Sequence, residues 1–154
     1  MVLFTSIAIL PSAAYAQSKS DQKVADELIG MVKAQWAAQA SNPSNVKEIF
    51  KDLADDYTEF NNQYSTRVDG KSVTMNLAEP AGQAPDRRVA AEMLNPKVQV
   101  YGDAAILTYN FAGITKNKDG VLKSMRVKTT RVYVKQGGSW KLVHSNFAAD
   151  PMPE

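Results

Sequence analysis

The second half of the chain alternates apolar and polar residues over a long stretch, and this feature constrains the fold more than any other. In the segment MLNPKVQVYGDAAILTY, Val98 and Val100 alternate with polar neighbours, and the alternation resumes after Gly102-Asp103. Such spacing is typical of a hairpin with one buried face. The sequences KNKDG and KQGGS supply two further turns. We therefore predict an antiparallel meander with strands at residues 97–101, 104–115, 121–135 and 139–147.

The first half of the chain carries helical periodicity. Asp21 can cap a helix that ends before Pro43, and the apolar positions of this helix are Val24, Leu28, Met31, Val32 and Trp36. A shorter helix follows, with one face formed by Val46, Ile49, Phe50 and Leu53. Residues 63–92 are ambiguous and allow a helix between Lys71 and Leu77. Helices followed by a meander predict an α+β domain, in which a curved sheet wraps around a helix and leaves a pocket.

The N-terminal segment MVLFTSIAILPSAAYAQ is predicted to be a signal peptide, residues 1–16. It is apolar up to Leu10, and Ala14-Tyr15-Ala16 matches the A-x-A cleavage pattern. No Lys or Arg precedes the apolar run, so we expect the start codon to lie upstream; the alternative is a hydrophobic tail. We expect cleavage after Ala16 and a periplasmic or secreted protein. The remaining chain divides into a linker at 17–20, a single domain at 21–150 and a tail at 151–154.

Composition excludes several classes of site. The formal net charge of +2 is too small to indicate a nucleic-acid partner or a membrane surface. The chain contains no cysteine and one histidine, which excludes a disulfide, a cysteine nucleophile and a thiolate or histidine-rich metal site. We therefore predict neither a metal nor another cofactor.

A chain of linked motifs resembles a known family. The segment LNPKVQVYGDAAILTY, followed by TTRVYV, a glycine turn and WKLVHSNFA, resembles the association (hub) domain of calcium/calmodulin-dependent protein kinase II and its bacterial relatives. These proteins belong to the nuclear transport factor 2-like superfamily, together with SnoaL-like cyclases and ketosteroid isomerase. The resemblance is good over 93–148 and looser over 24–61.

The resemblance implies a cone-shaped, cystatin-like fold, with long helices packed on a bent antiparallel sheet and a pocket that opens at one end. It also implies a homo-oligomer, a dimer or a ring of dimers, assembled through the sheet. We expect Tyr133, Val134 and Val143 to supply part of that interface. The sequence holds no kinase domain and no calmodulin-binding segment, so no kinase activity is expected.

Arg131 is the strongest candidate for a binding-site residue. In TTRVYV it occupies the place of an arginine that points into the hub pocket, where a guanidinium could hold a carboxylate by two hydrogen bonds. The alternative is a surface arginine on a strand. Further hub arginines match Phe111 and Phe147 here, so we expect one arginine in an aromatic pocket, suited to a small amphiphilic acid.

Aromatic and titratable residues complete the predicted site. Alternation along WKLVHSNF places His144 and Asn146 on the face of Trp140 and Leu142, where His144 could act as a general acid or base. Asn146 replaces a second histidine of the hub-like pattern. We predict that Tyr57, Phe60 and Tyr109 form the pocket wall, and that Trp36 and Trp140 belong to the core. Weak catalytic candidates are His144, Tyr57 and Asp56; each has a purely structural alternative.

Three functions stay open at this point. The first is an exported association module that binds a small organic acid. The second is a cofactor-free acid–base enzyme, an isomerase, cyclase or dehydratase of the ketosteroid isomerase or SnoaL type. The third is an accessory protein whose outer sheet binds another protein. The sequence favours the first, because it contains no recognisable catalytic constellation, although fold alone decides none of them.

Overall fold

The computed structural model describes residues 18–82 and 86–150, so the predicted signal peptide and tail lie outside the described residues. The helices are α1 (Lys19–Ser41), α2 (Val46–Ile49) and α3 (Lys71–Gly82). The strands are β1 (Leu53–Phe60), β2 (Val68–Asp69), β3 (Arg87–Tyr101), β4 (Ala104–Lys116), β5 (Leu122–Gln136) and β6 (Ser139–Ala149). The α+β class is confirmed.

One curved sheet organises the molecule. Its strand order is β2-β1-β6-β5-β4-β3, and β3 to β6 form the predicted antiparallel meander. β1 pairs with β6 in a parallel sense, which the long connection between them, through β2, α3 and the other three strands, permits. We call the sheet face that packs on α1 the inner face and the opposite one the outer face.

The core lies between α1 and the inner face. Alternate residues of β4, among them Leu107 and Tyr109, are buried against Leu28 and Val32 of α1. The spacing of the buried helical positions follows the turn of an α-helix, which is why α1 can cover a broad stripe of the sheet. No helix within the described ranges is long and apolar enough to cross a bilayer.

The helix α1 begins earlier than the sequence suggested. Ser18 is the N-cap: its hydroxyl accepts a hydrogen bond from the Asp21 backbone N–H at 3.1 Å, and the Asp21 carboxylate accepts one from the Ser18 N–H at 3.4 Å. This reciprocal capping box satisfies two backbone donors at the helix start. Asp21 is therefore inside the helix rather than its cap, and the predicted linker at 17–20 is wrong from Lys19 onward.

Three further boundaries differ from the prediction. Leu53 is the first residue of β1 rather than part of α2, which spans one turn. α3 continues through Pro80 to Gly82. β3 starts at Arg87, ten residues before the predicted start. Backbone pairing with β4 holds this segment at the edge of the sheet. Its side chains are mostly exposed and do not alternate, so the sequence pattern did not indicate a strand there.

A β-bulge in β6 reverses the faces of its last residues. Val132 pairs with His144, whereas the next residue, Tyr133, pairs with Leu142, so Val143 is the extra residue. Leu142 is therefore on the inner face, and His144 is on the outer face. The predicted shared face of His144 and Asn146 with Trp140 and Leu142 is wrong for this reason.

Candidate functional site

The inner face, α1 and α3 surround a half-open cavity of about 340 Å³. This volume falls within the range of small-molecule sites. α1 contributes Gln35, Trp36 and Gln39, which share one face of the helix because they are one turn apart. The meander contributes the opposite wall, which contains Tyr109, Phe111, Arg131 and Phe147.

Arg131 lies deep in this cavity. Its side chain is 6% exposed, and its Nη1 donates a hydrogen bond to Gln35 Oε1 at 2.8 Å. Its guanidinium carbon lies 5.9 Å from the centre of the Phe147 ring, and its Nε has no hydrogen-bond partner. Burial lowers the pKa of Arg131, whereas interactions with Tyr109, Tyr133 and Tyr57 raise it. The net shift of the pKa is upward, so the guanidinium stays charged.

A second arginine, Arg88 of β3, lines the same cavity. Its Nη1 donates to Gln39 Oε1 at 2.9 Å, its guanidinium carbon lies 5.2 Å from the centre of the Phe111 ring, and its Nε has no partner. Burial lowers the pKa of Arg88, and the charge of Arg131 lowers it further. The expectation of a single arginine is therefore wrong. Sequence reasoning missed Arg88 because residues 63–92 show no strand periodicity.

Aromatic rings close the cavity from α1 and β4. Trp36 meets Tyr109 and Phe111 edge-on, with ring centres 5.9 and 5.2 Å apart. Gly113 makes room for this arrangement, because a Cβ there would lie 2.6 Å from Phe111 Cζ. Trp140 is core, but Trp36 is half-buried and lines the cavity. Binding roles for Tyr109 and Phe111 stay predictions.

The cavity also holds a hydrogen-bonded carboxylate. Tyr57 is 2% exposed, and its hydroxyl donates to Glu59 Oε2 at 2.7 Å, while Asn61 Nδ2 donates to the other carboxylate oxygen. Burial and then the charge of Glu59 raise the pKa of the Tyr57 hydroxyl far above its usual range. Glu59 was missed by the sequence interpretation, although its position two residues from Tyr57 places both on one face of a strand.

Four predicted site residues lie outside the cavity lining. His144 is on the outer face, where its Nδ1 lies 2.8 Å from Thr58 Oγ1 and its ring meets Phe60 edge-on at 6.0 Å. Phe60 is 48% exposed, and it cannot share a face with Tyr57 because the two are three residues apart on a strand. Asn146 and Asp56 are exposed. The structure therefore corrects the placement of His144, Phe60, Asn146 and Asp56.

The donor set of the described residues does not form a metal centre. Across 18–82 and 86–150, no group of three or more His, Cys, Asp or Glu side chains is placed to hold an ion. Of the described residues that line the cavity, only Glu59, Arg88 and Arg131 carry a charge. The arrangement is thus suited to anion binding through guanidinium groups on an aromatic wall.

Comparison with protein families agrees with the fold and the meander. The family model described as calcium/calmodulin dependent protein kinase II association domain matches residues 26–151. The chain belongs to this association-domain family. The matched region includes α1 from residue 26 onward, the whole sheet and every charged residue that lines the described cavity. No curated protein sequence matches the chain.

Solved structures share the fold at low sequence identity. The association domain of the kinase from C. elegans has a TM-score of 0.71 at 17% identity, covering 86% of this chain and all of that one. A nuclear transport factor 2-like protein of unknown function from Pseudomonas putida KT2440 gives 0.69 at 20% identity, covering 84% and 88%. A candidate ketosteroid isomerase from Parabacteroides distasonis gives 0.66 at 18% identity, covering 87% and 94%. These similarities show the fold and leave the activity open.

Proposed function

We propose that this association-domain protein is an oligomeric binding module that holds a small organic acid in its inner cavity. The observation that carries the proposal is the buried guanidinium of Arg131, whose Nη1 donates to the neutral amide of Gln35 and whose Nε has no partner among the described residues. Within the described part of the chain, no carboxylate lies within 4.0 Å of Arg131. A buried charge without a counter-ion is costly, so an anionic ligand would stabilise this arrangement.

The cavity wall defines the kind of acid. Trp36, Phe111 and Phe147 offer apolar surface beside the guanidinium, which suits an aromatic or aliphatic body attached to one carboxylate. A charge-assisted hydrogen bond contributes about 1.5–3 kcal/mol. Arg131→Ala should therefore weaken binding of such an acid by about ten- to a hundredfold. Arg131→Lys should recover part of the affinity, because an ammonium lacks the planar fork.

Isothermal titration of the wild type with phenylacetate, benzoate and hexanoate tests the proposal. Arg126→Ala is the matched control: Arg126 is on the same strand but on the outer face, where its Nε lies 3.6 Å from Asp150 Oδ2. We expect the control to bind as the wild type does. Equal binding by wild type and Arg131→Ala would refute the assignment, as would a wild type that binds no acid.

Assembly through the outer face is the second part of the proposal. Ile106, Val132, Val134 and Val143 are half-buried there and form an apolar strip along β4 to β6. A symmetric dimer would place the same strip on both subunits. Tyr133 has no part in it, because it is 2% exposed and faces the core, which corrects the predicted interface.

Sedimentation at micromolar concentration tests the assembly. We expect a dimer or larger species for the wild type and dissociation for Val132→Glu, which puts a charge into the strip. A glutamate at Lys128, on the same face but exposed, is the control and should leave the assembly intact. A monomeric wild type throughout this range contradicts the proposal.

Export is proposed from the N-terminal sequence alone. Expressed with its own N-terminal segment in a Gram-negative host, the mature protein should begin at Gln17 in the periplasmic or secreted fraction. N-terminal sequencing decides this, and an uncleaved cytoplasmic product would contradict it.

Acid–base catalysis is the second candidate function, and one observation favours it. Glu59 faces the cavity and is held by Tyr57 and Asn61, as a positioned base would be. A bound acid should then exchange its α-hydrogen for deuterium in heavy water, and Glu59→Gln should abolish the exchange. Binding without exchange would leave the binding module as the function.

A further inference from the structure

Arg88 is a cavity residue that the proposed role of Arg131 does not use. Arg88 is half-buried and lines the cavity from β3. β3 is one edge strand of the sheet, and β1 lies near the other edge. Its Nε has no partner, and within the described residues no carboxylate lies within 4.0 Å of its guanidinium. The cavity therefore contains two guanidinium groups whose hydrogen-bonding capacity is incompletely used.

The helix α1 sets the separation of the two groups. Gln35 accepts from Arg131, and Gln39 accepts from Arg88, so each arginine is held by a glutamine of the same helix face. Residues four apart in an α-helix differ by about 6 Å along the axis. Each guanidinium also lies beside its own ring, Phe147 for Arg131 and Phe111 for Arg88. One carboxylate between them could accept hydrogen bonds from both.

The charge balance decides between a monoanion and a dianion. The two arginines and the ionised Glu59 give the cavity a formal net charge of +1. Both oxygens of Glu59 already accept hydrogen bonds, from Tyr57 and Asn61, and Glu59 is not paired with either guanidinium. A monocarboxylate would neutralise the cavity, whereas a dicarboxylate would leave an excess negative charge in a poorly solvated space.

We propose that Arg88 and Arg131 form a two-arginine clamp for the carboxylate of a monocarboxylic acid. This inference rests on the proposed function and adds to it a second anchor and a ligand class. The apolar body of the acid lies against Trp36 and Phe111, and the carboxylate lies between the guanidinium groups. Arg88 is thus a second anchor, and Arg131 is the deeper one.

The test compares three probes on one set of variants by isothermal titration. Phenylacetate is the monocarboxylate, phenylacetamide is its neutral counterpart, and 1,4-phenylenediacetate carries a second carboxylate. Arg88→Met keeps the length of the side chain and removes its charge, while Arg88→Lys keeps the charge. Arg87→Met removes a charge from the adjacent exposed residue, which does not line the cavity, and is the matched control.

We expect phenylacetate to bind the wild type at least about tenfold more tightly than either other probe. Arg88→Met should weaken the binding of phenylacetate by about fivefold or more, and Arg88→Lys should recover part of that loss. Arg87→Met should bind phenylacetate within about threefold of the wild type. If the role of Arg88 were purely structural, Arg88→Met would weaken the binding of phenylacetamide as much as the binding of phenylacetate. That result would overturn the proposal.

The failures of the two proposals are distinguishable. If Arg131→Ala loses phenylacetate but Arg88→Met retains it, the clamp is wrong and the binding module stands. If the wild type prefers 1,4-phenylenediacetate, the ligand class is wrong. If no probe binds the wild type, the proposed function fails together with the clamp. Should Arg88→Met fold poorly by circular dichroism, Arg88→Gln replaces it under the same criteria.

Discussion

Alternate residues of β4 and β5 occupy two environments that differ in burial and in polarity. On the inner face, Leu107 is fully buried, and polar Thr129 and Arg131 are 4% and 6% exposed. On the outer face, Ile106 and Val132 are apolar and half-exposed. The same two strands therefore bury polar groups inside and leave apolar groups partly outside.

This contrast indicates where stability and function reside. The inner face has a cover, α1, whose glutamines accept hydrogen bonds from the arginines, so burial of polar groups is partly compensated there. The outer face has no cover within the described chain, and its apolar residues fit contact with another molecule. The following predictions test this difference, from the largest expected effect to the smallest.

The first prediction uses neighbouring residues on opposite faces. Leu107→Ala should lower the free energy of unfolding by about 2–5 kcal/mol, because it leaves a cavity against α1. Ile106→Ala should cost under about 1 kcal/mol in the monomer, because its side chain is half-exposed. Urea denaturation at low protein concentration measures both. Equal losses would mean that the two faces contribute alike, against our interpretation.

The second prediction concerns alkaline pH and the buried tyrosines. Burial raises the pKa of Tyr57 and of Tyr133 above the ordinary value of 10.0. Above pH 10.0 the unfolded state loses these protons while the folded state keeps them, so the free energy of unfolding falls as the pH rises. The stabilising contribution is fully present below that pH.

Tyr57→Phe should therefore make the fall of the free energy of unfolding with rising alkaline pH less steep, by about 1.4 kcal/mol per pH unit. Tyr101→Phe is the control, because Tyr101 is 61% exposed. Denaturant titrations at a series of alkaline pH values measure the slopes. Unchanged slopes in Tyr57→Phe would show that the hydroxyl is not sequestered on the inner face.

The third prediction concerns the close approach of Phe111 to Gly113. Gly113→Ala brings a Cβ within 2.6 Å of Phe111 Cζ, so the ring must swing away from Trp36. We expect a loss of about 1 kcal/mol in stability and a changed near-ultraviolet circular dichroism signal. Ala112→Ser, on the outer face, should change neither. Identical behaviour of the two variants would contradict the inner-face packing.

The sequence predicted the meander well because β4 and the second half of β5 alternate between buried and less buried residues, and this alternation shows which residues lie on each face. The resemblance to the hub domain, rather than periodicity, placed Arg131 and Phe111 in a pocket, and both line the cavity together with Tyr109. The sequence pattern gives no sign of the β-bulge at Val143, so His144 and Asn146 were assigned to the wrong face. A prediction from two-residue periodicity assumes an unbroken strand, and one extra residue in β6 moves the following side chains to the opposite face.

Two cavity residues escaped prediction for different reasons. Arg88 is on an edge strand that is held by backbone pairing, so its side chains give no periodic signal. Glu59 could have been found, because it alternates with Tyr57 along β1. The charge of a cavity depends on residues from distant segments, and neither local propensity nor spacing brings those together.

The position of a bound acid tests the central claim most directly. A crystal structure grown with 4-bromophenylacetate locates the bromine by its anomalous scattering, independently of any assumption about the site. We predict a bromine peak inside the cavity beside Trp36 and Phe111, with the carboxylate within hydrogen-bonding distance of Arg131. Bromine bound only on the outer face, or an empty cavity at saturating ligand, would contradict the account.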